Sequence, residues 1–178
     1  MKAEIKDGKI SVKPIYNGEE RELEVSFNLP EEDYGFDDVT FEAPVTVYAR
    51  VTGKAQGKER NEGYTELYLE VTADISTECA RCLEPVCEKV EFTKTYGLTE
   101  SKVSEDSEEY LSTDHGELDI LECARSLFLL NFPTRFLCDE DCKGLCGECG
   151  KNLNDGECDC NKKEVDPRLA VLKNLKFD

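Results

Sequence analysis

The chain has 178 residues, enough for one domain with a small appendage. Its 22 Lys and Arg against 40 Asp and Glu give a formal charge of −18, which argues against binding nucleic-acid phosphates over a wide surface. No apolar run approaches the ~18 residues of a membrane span, and ten Cys behind a charge-alternating start (Met1 to Asp7) that predicts no signal peptide point to metal rather than disulfides.

Leu23, Val25, Phe27 and Leu29 alternate with polar residues, which predicts a half-buried strand ending at Pro30. Val39, Phe41, Ala43, Val45, Val47, Ala49 and Val51 continue the alternation. Pro44 among them lacks an N–H and predicts a sheet edge or a bulge. Gly53 to Gly63 is a polar connection, after which Leu67, Leu69, Val71, Ala73 and Ile75 alternate again. The two long segments predict a hairpin of one antiparallel sheet. A further strand is predicted over Val86 to Tyr96, with Val86, Val90 and Phe92 inward.

The negative charge is concentrated in residues 31–99 (7 basic, 15 acidic) and 100–122 (1 basic, 9 acidic). Like charges at such density resist packing, so residues 100–117 are read as an acidic loop. The period then changes. Asp119 is a good N-cap and Glu122 completes a capping box, which predicts a helix over about 119–131 that Pro133 ends. Ile120, Ala124, Leu127 and Leu130, with Cys123 and Phe128 nearby, are read as its buried face. Asp166-Pro167 predicts a short terminal helix, with Lys173 and Lys176 suited to its C-terminal end. The fold class is therefore α+β. A mainly antiparallel sheet covered by one helix spans 1–135, and a small Cys-rich zinc-binding module spans 136–178.

The chemistry lies in the cysteines. Cys79-Ala-Arg-Cys82 and Cys146-Gly-Glu-Cys149-Gly150 are C-x-x-C pairs whose small residues allow a tight turn to aim two thiolates at one ion. Cys138/Cys142 and Cys158/Cys160 are two more close pairs. Structural zinc takes four ligands, so eight paired Cys make two sites by count. The stretch between Cys149 and Cys158 is rich in turn formers and can loop back, closing a local site from Cys146, Cys149, Cys158 and Cys160. Cys79, Cys82, Cys138 and Cys142 would then form a long-range second site. A competing partition groups Cys138, Cys142, Cys146 and Cys149. The expected cofactor is thus one or two zinc ions.

A redox dithiol at Cys79/Cys82 is disfavoured. The following Leu83-Glu84-Pro85 brings an acid and a helix breaker where a lowered thiol pKa needs a helix N-terminus. Cys87 is read as a tolerated thiol on a polar strand face, Cys123 as helix packing, and His115, the single His, as a surface residue. No nucleophile–base pair and no open metal site can be named, so no enzyme is expected.

The run from Cys79-Ala-Arg-Cys82 to Leu83-Glu84-Pro85-Val86 and the run from Leu137-Cys138 through Cys142-Lys143-Gly144-Leu145-Cys146 to Asn154 carry a resemblance, as do Gly156-Glu157-Cys158-Asp159-Cys160 and Asp166-Pro167-Arg168-Leu169-Ala170-Val171-Leu172. The chain resembles the YceD family, the large ribosomal RNA subunit accumulation proteins, over essentially its whole length. Gly147 stands where many members carry Pro. Gly can adopt the same turn. The resemblance implies a cytoplasmic, non-enzymatic factor supporting synthesis, processing or stability of large-subunit (23S) ribosomal RNA. Its acidic surface would attract a basic ribosomal protein or a precursor particle. Glu105, Asp106, Glu108, Glu109 and Tyr110 are the expected docking segment. Local RNA contact would fall to Arg168, Lys173 and Lys176, or to Lys143 and Lys151. Neither a membrane nor a small-molecule substrate is expected. The competing functions are a zinc adaptor outside ribosome assembly and a redox-regulated chaperone.

Overall fold

Alternating Val, Leu and Ala set against Glu, Thr and Tyr make a sheet with one buried face. The computed structural model describes residues 2–54, 64–100 and 109–160. Its strands are β1 (Lys9–Ser11), β2 (Glu22–Asn28), β3 (Val39–Phe41), β4 (Thr46–Lys54), β5 (Tyr64–Glu78), β6 (Pro85–Thr99), β7 (Tyr110–Ser112) and β8 (Glu117–Asp119). Two helices accompany them, α1 (Lys13–Tyr16) and α2 (Ile120–Asn131). The main sheet has the order β2-β4-β5-β6-β7, with β3 also paired to β5, and β1 pairs separately with β8. These pairings are antiparallel except β6–β7, which is parallel.

β5 is the spine. Leu67, Leu69, Val71, Ala73 and Ile75 are at most 3% exposed and face the core. The run from Val39 to Val51 is interrupted rather than continuous. β3 and β4 both lie along β5, with Phe41 opposite Ile75 and Thr46 opposite Thr72. Residues 42–45 therefore face only Ala73 and Asp74, a bulge centred on Pro44 that bends the strand without losing the inward alternation. The bulge buries Val45, whose N–H donates to the Tyr34 hydroxyl at 3.4 Å and whose carbonyl accepts the Leu29 N–H at 2.9 Å.

α2 forms where the capping box puts it. The Asp119 carboxylate accepts the Glu122 N–H at 2.9 Å, and Ile120, Ala124, Leu127 and Phe128 turn inward. Leu130 corrects the expectation that it is core, for it is 85% exposed. Phe128 is fully buried, and two residues further is about 200° round a helix, so both cannot face the sheet. Phe128 sits among Tyr34, Phe41, Phe92 and Phe132, with ring centroids 5.1–6.2 Å away.

Of the segment read as an acidic loop, the described residues 109–117 include a strand, β7, and the start of β8. Tyr110 begins β7, opposite Gly97, and its ring lies where a Cβ on Gly97 would stand, 2.6 Å from that position. Tyr110 therefore packs along the sheet edge, with 53% of its surface exposed. His115 sits in a left-handed turn, φ 50°, with its side chain in solvent. Residues before Leu23 also join the fold, with Ile10, Val12 and Ile15 buried. No helix among the described residues is long and apolar enough to cross a membrane.

Candidate metal centres

Both C-x-x-C pairs fold as the same turn. The Cys79 N–H donates to the Glu84 carbonyl (2.8 Å) and the Leu83 N–H to the Cys79 carbonyl (2.9 Å). Likewise the Cys146 N–H donates to Lys151 (2.8 Å) and the Gly150 N–H to Cys146 (2.9 Å). This closure needs a left-handed residue four places after the first Cys. Gly150 supplies it at φ 72°, and Leu83 at φ 61°. Gly is the residue expected there, because a Cβ costs about 1–2 kcal/mol in that region. The first turn caps the β5–β6 hairpin just beyond the Glu78–Pro85 pair.

The sulfurs gather in two sets of four, Cys79, Cys82, Cys138 and Cys142, and Cys146, Cys149, Cys158 and Cys160, each with its ligand atoms within 4.8 Å of one another. The alternative grouping of Cys138, Cys142, Cys146 and Cys149 is not formed. None of the ten Cys is in a disulfide. Sulfur separations are 3.8 Å for Cys79–Cys142, 3.5 Å for Cys82–Cys138 and 3.3 Å for Cys146–Cys158. Tetrahedral zinc with ~2.3 Å bonds to sulfur sets ligands about 3.8 Å apart, so the donor sets and their spacing fit such an ion.

The two sets differ in depth. Cys79, Cys82 and Cys142 are buried and only Cys138 is exposed, whereas the second set is half-buried with Cys149 exposed. Backbone N–H groups aimed at sulfur favour thiolate. The Cys138 N–H, with those of Arg81 and Cys82, pulls Cys79 below the ordinary thiol range, and those of Cys149 and Glu148 do so for Cys146. The Asn154 side-chain amide, 3.3 Å from the Cys142 sulfur, lowers Cys142. The crowding has a converse. Cys138 is pushed up, first by its contact with Cys82, and Cys160 by its contact with Cys149. Each set thus holds thiols pushed in both directions, and binding a divalent cation would release the protons the set still carries.

Arg81 and Asn154 hold the sets in place. The Arg81 guanidinium donates to the carbonyls of Glu140 (3.0 Å) and Cys142 (2.8 Å), and its own carbonyl accepts the Leu145 N–H (3.1 Å). The Asn154 side-chain oxygen accepts the Lys143 N–H (2.8 Å) while its amide reaches Cys142. Gly144, at φ 73°, passes so close to the Arg81 carbonyl that an added Cβ would stand 3.0 Å from it. Neither role was read from the sequence, although Arg81 lies inside its C-x-x-C and Asn154 in the turn-rich stretch.

Cys87 and Cys123 stand apart. Cys87 is exposed on β6, and Cys123 packs half-buried against the core, where burial together with Asp119 and Glu122 pushes its thiol up to about 12. Of the expected partner residues, Glu109, Lys143 and Lys151 are exposed, and the Lys151 ammonium donates to the Glu157 carbonyl at 2.8 Å. Glu105, Asp106, Glu108, Arg168, Lys173 and Lys176, and the expected terminal helix, lie outside the described residues.

Fold and site together define an antiparallel-sheet protein whose hairpin turn and C-terminal segment are gathered by two four-thiol clusters suited to metal. The chain belongs to the YceD family: a match described as "Large ribosomal RNA subunit accumulation protein YceD" covers residues 67–176, which include all eight clustered Cys. It is similar to the chloroplastic "Large ribosomal RNA subunit accumulation protein YCED homolog 1" of Arabidopsis thaliana, 42% identical over 34% of this chain and 19% of that protein. Uncharacterized proteins of Mycobacterium leprae (31% identical, 47% of this chain, 40% of that protein) and Mycobacterium tuberculosis (32%, 59% and 52%) are also similar. The matched stretch thus spans from about a fifth to about half of these relatives' lengths. No solved structure matches the chain.

Proposed function

We propose that the chain is a non-enzymatic factor of large-subunit ribosome biogenesis, acting in the cytoplasm to support synthesis, processing or stability of 23S ribosomal RNA. The observation that carries this reading is the family match over residues 67–176, which takes in most of the sheet spine, α2 and both clusters. Charge supports a protein partner over direct RNA binding across a wide surface. At −18, the chain repels phosphate and attracts basic ribosomal proteins at enhanced on-rates. The solvent face of the sheet carries Glu24, Glu66 and Glu70 beside Tyr48 and Tyr68, and the chain's own Arg50 already lies over the Tyr68 ring at 5.6 Å, the kind of contact this face makes with a cation. Zinc in the two clusters is structural in this reading, since four thiolates leave no open coordination position.

The test has two arms. Sedimentation of cell extract with crosslinking is expected to place the protein with precursor large-subunit particles or free basic ribosomal proteins. Depletion is expected to lower 23S relative to 16S RNA. Recovery with neither, together with an unchanged RNA ratio, overturns the proposal.

A further inference from the structure

Beside the buried cluster lies a groove of about 1200 Å³, larger than the ~300–1,000 Å³ of small-ligand pockets and of a size for a peptide segment. Its floor includes Phe36 stacked on Phe132 at 4.2 Å. Two of its lining residues are exposed leucines, Leu83 at 59% and Leu129 at 41%. Leu83 is the side chain that occupies the left-handed turn position filled by Gly150 in the second turn, so an apolar group is kept at this groove at a backbone cost. Exposed Asp37, Asp38 and Glu78 line the groove against one base, Arg135.

We propose that this groove is the docking site of the chain's own C-terminal segment, residues 168–177. The charge is complementary, since this stretch holds Arg168, Lys173 and Lys176 and no acid, in a chain that is otherwise strongly acidic. The apolar chemistry matches too, with Leu169, Leu172 and Leu175 every third residue and Phe177 beyond. The tether reaches. Cys79 lines the groove, 3.8 Å from the Cys142 sulfur, and Cys146 follows four residues later in a cluster with Cys160. Four residues span at most ~14 Å and residues 161–167 up to ~25 Å, enough to return to the groove. A tethered segment meets its site at millimolar effective concentration, so weak intrinsic affinity suffices. The family match runs through residue 176, so it takes in all but the last residue of the segment together with both sets of Cys.

The test uses the full-length, metal-loaded protein with the photo-crosslinker p-benzoylphenylalanine at Leu129, and at Tyr48 on the opposite sheet face as control. Light and heavy isotope-labelled chains are mixed before irradiation. Crosslinks from position 129 to residues 168–177 within one chain are expected, reduced at least tenfold by Leu172→Asp and by added salt. Hydrogen exchange in residues 129–136 is expected to rise at least fivefold in Leu172→Asp while the β5 amides stay protected. Light–heavy crosslinks would assign the groove to a second copy. Crosslinks that appear only with added basic ribosomal protein would assign it to that partner. Either result, equal yield from Tyr48, or unchanged exchange in Leu172→Asp, overturns the proposal.

Discussion

Three glycines of the Cys-rich segment differ in one respect each, which makes Gly→Ala a graded test of the turn geometry. Gly147 has no left-handed φ and nothing within 4 Å of an added Cβ. Alanine there removes only unfolded-state freedom and is expected to stabilise by about 0.4–1 kcal/mol. Gly150 is equally open but sits at φ 72°, so alanine costs the left-handed penalty alone, about 1–2 kcal/mol. Gly144 combines φ 73° with a Cβ position 3.0 Å from the Arg81 carbonyl, a backbone atom that cannot swing aside. That carbonyl also accepts the Leu145 N–H, so making room stretches the bond joining the two Cys turns. Adding about 1 kcal/mol for that bond gives a cost of about 2–3 kcal/mol for Gly144→Ala. A chain of this size shifts its melting midpoint by about 2–4 °C per kcal/mol, so a fall of about 5–10 °C is expected. Urea titration at fixed metal concentration, followed by far-UV circular dichroism, should rank the proteins Gly147→Ala, wild type, Gly150→Ala, Gly144→Ala from most to least stable. A Gly144→Ala protein no weaker than Gly150→Ala would refute the Arg81 contact, and a neutral Gly150→Ala would refute the left-handed turn.

Asn154→Ala removes the amide that lowers the Cys142 thiol, and a ten- to hundredfold loss of zinc affinity at the buried cluster is expected in chelator competition. Cys79→Ser and Cys158→Ser should each lower zinc from two ions per chain to one by elemental analysis, with only Cys79→Ser loosening α2 in hydrogen exchange. Cys123, with its thiol at about 12, is only about one part in 10⁴ thiolate at pH 8. In mass-spectrometric alkylation of the metal-loaded protein, Cys87 should therefore label before Cys123, the other thiol outside the clusters; deprotonation as pH rises toward 12 is what would speed Cys123.

What could be read from the sequence was what is encoded locally. The period-2 stripe of Leu67 to Ile75 fixes which face of β5 is buried, and the Asp119–Glu122 box fixes where α2 starts, because neighbours in sequence make those contacts. Grouping the sulfurs of Cys146, Cys149, Cys158 and Cys160 needed only turn formers between them. The long-range set was a matter of pair counting, and the sheet explains why the count works. Cys79 and Cys82 are presented by a hairpin end, where the Ala80 N–H meets the Phe136 carbonyl at 2.9 Å and brings Cys138 with it. Leu130 misled because its spacing from Leu127 suits a helix stripe, while Phe128 takes the same space with more apolar volume. The parallel seat of Tyr110 on Gly97 joins residues whose acidic connection carried no strand pattern. Leu83 in a left-handed turn breaks the local rule that its partner Gly150 obeys.

The buried cluster also bears on how the sheet holds its helix. α2 is anchored at its start through β8 pairing with β1, and through the Leu121 N–H donating to the Gly8 carbonyl at 3.0 Å. At its other end the chain passes through Phe132 and Phe136 to Cys138 and Cys142, whose sulfurs meet the two from the hairpin turn. A metal there would close a loop running from the end of β5 through β6, β7, β8 and α2. Structural zinc supplies about 10–16 kcal/mol of apparent binding energy, as large as the ~5–15 kcal/mol that holds a whole domain. The second cluster closes only the stretch from Cys146 to Cys160, and the sheet register does not pass through it. Losing metal from the first cluster should therefore free the helix end and dismantle the adjoining groove, whereas losing it from the second should melt the stretch that carries Asn154 and so weaken, without dismantling, the first. Because each four-thiolate zinc site keeps a formal charge of about −2, loading either one adds to the protein's acidity rather than offsetting it. Structural metal and an acidic surface for basic partners are thus compatible in one small chain.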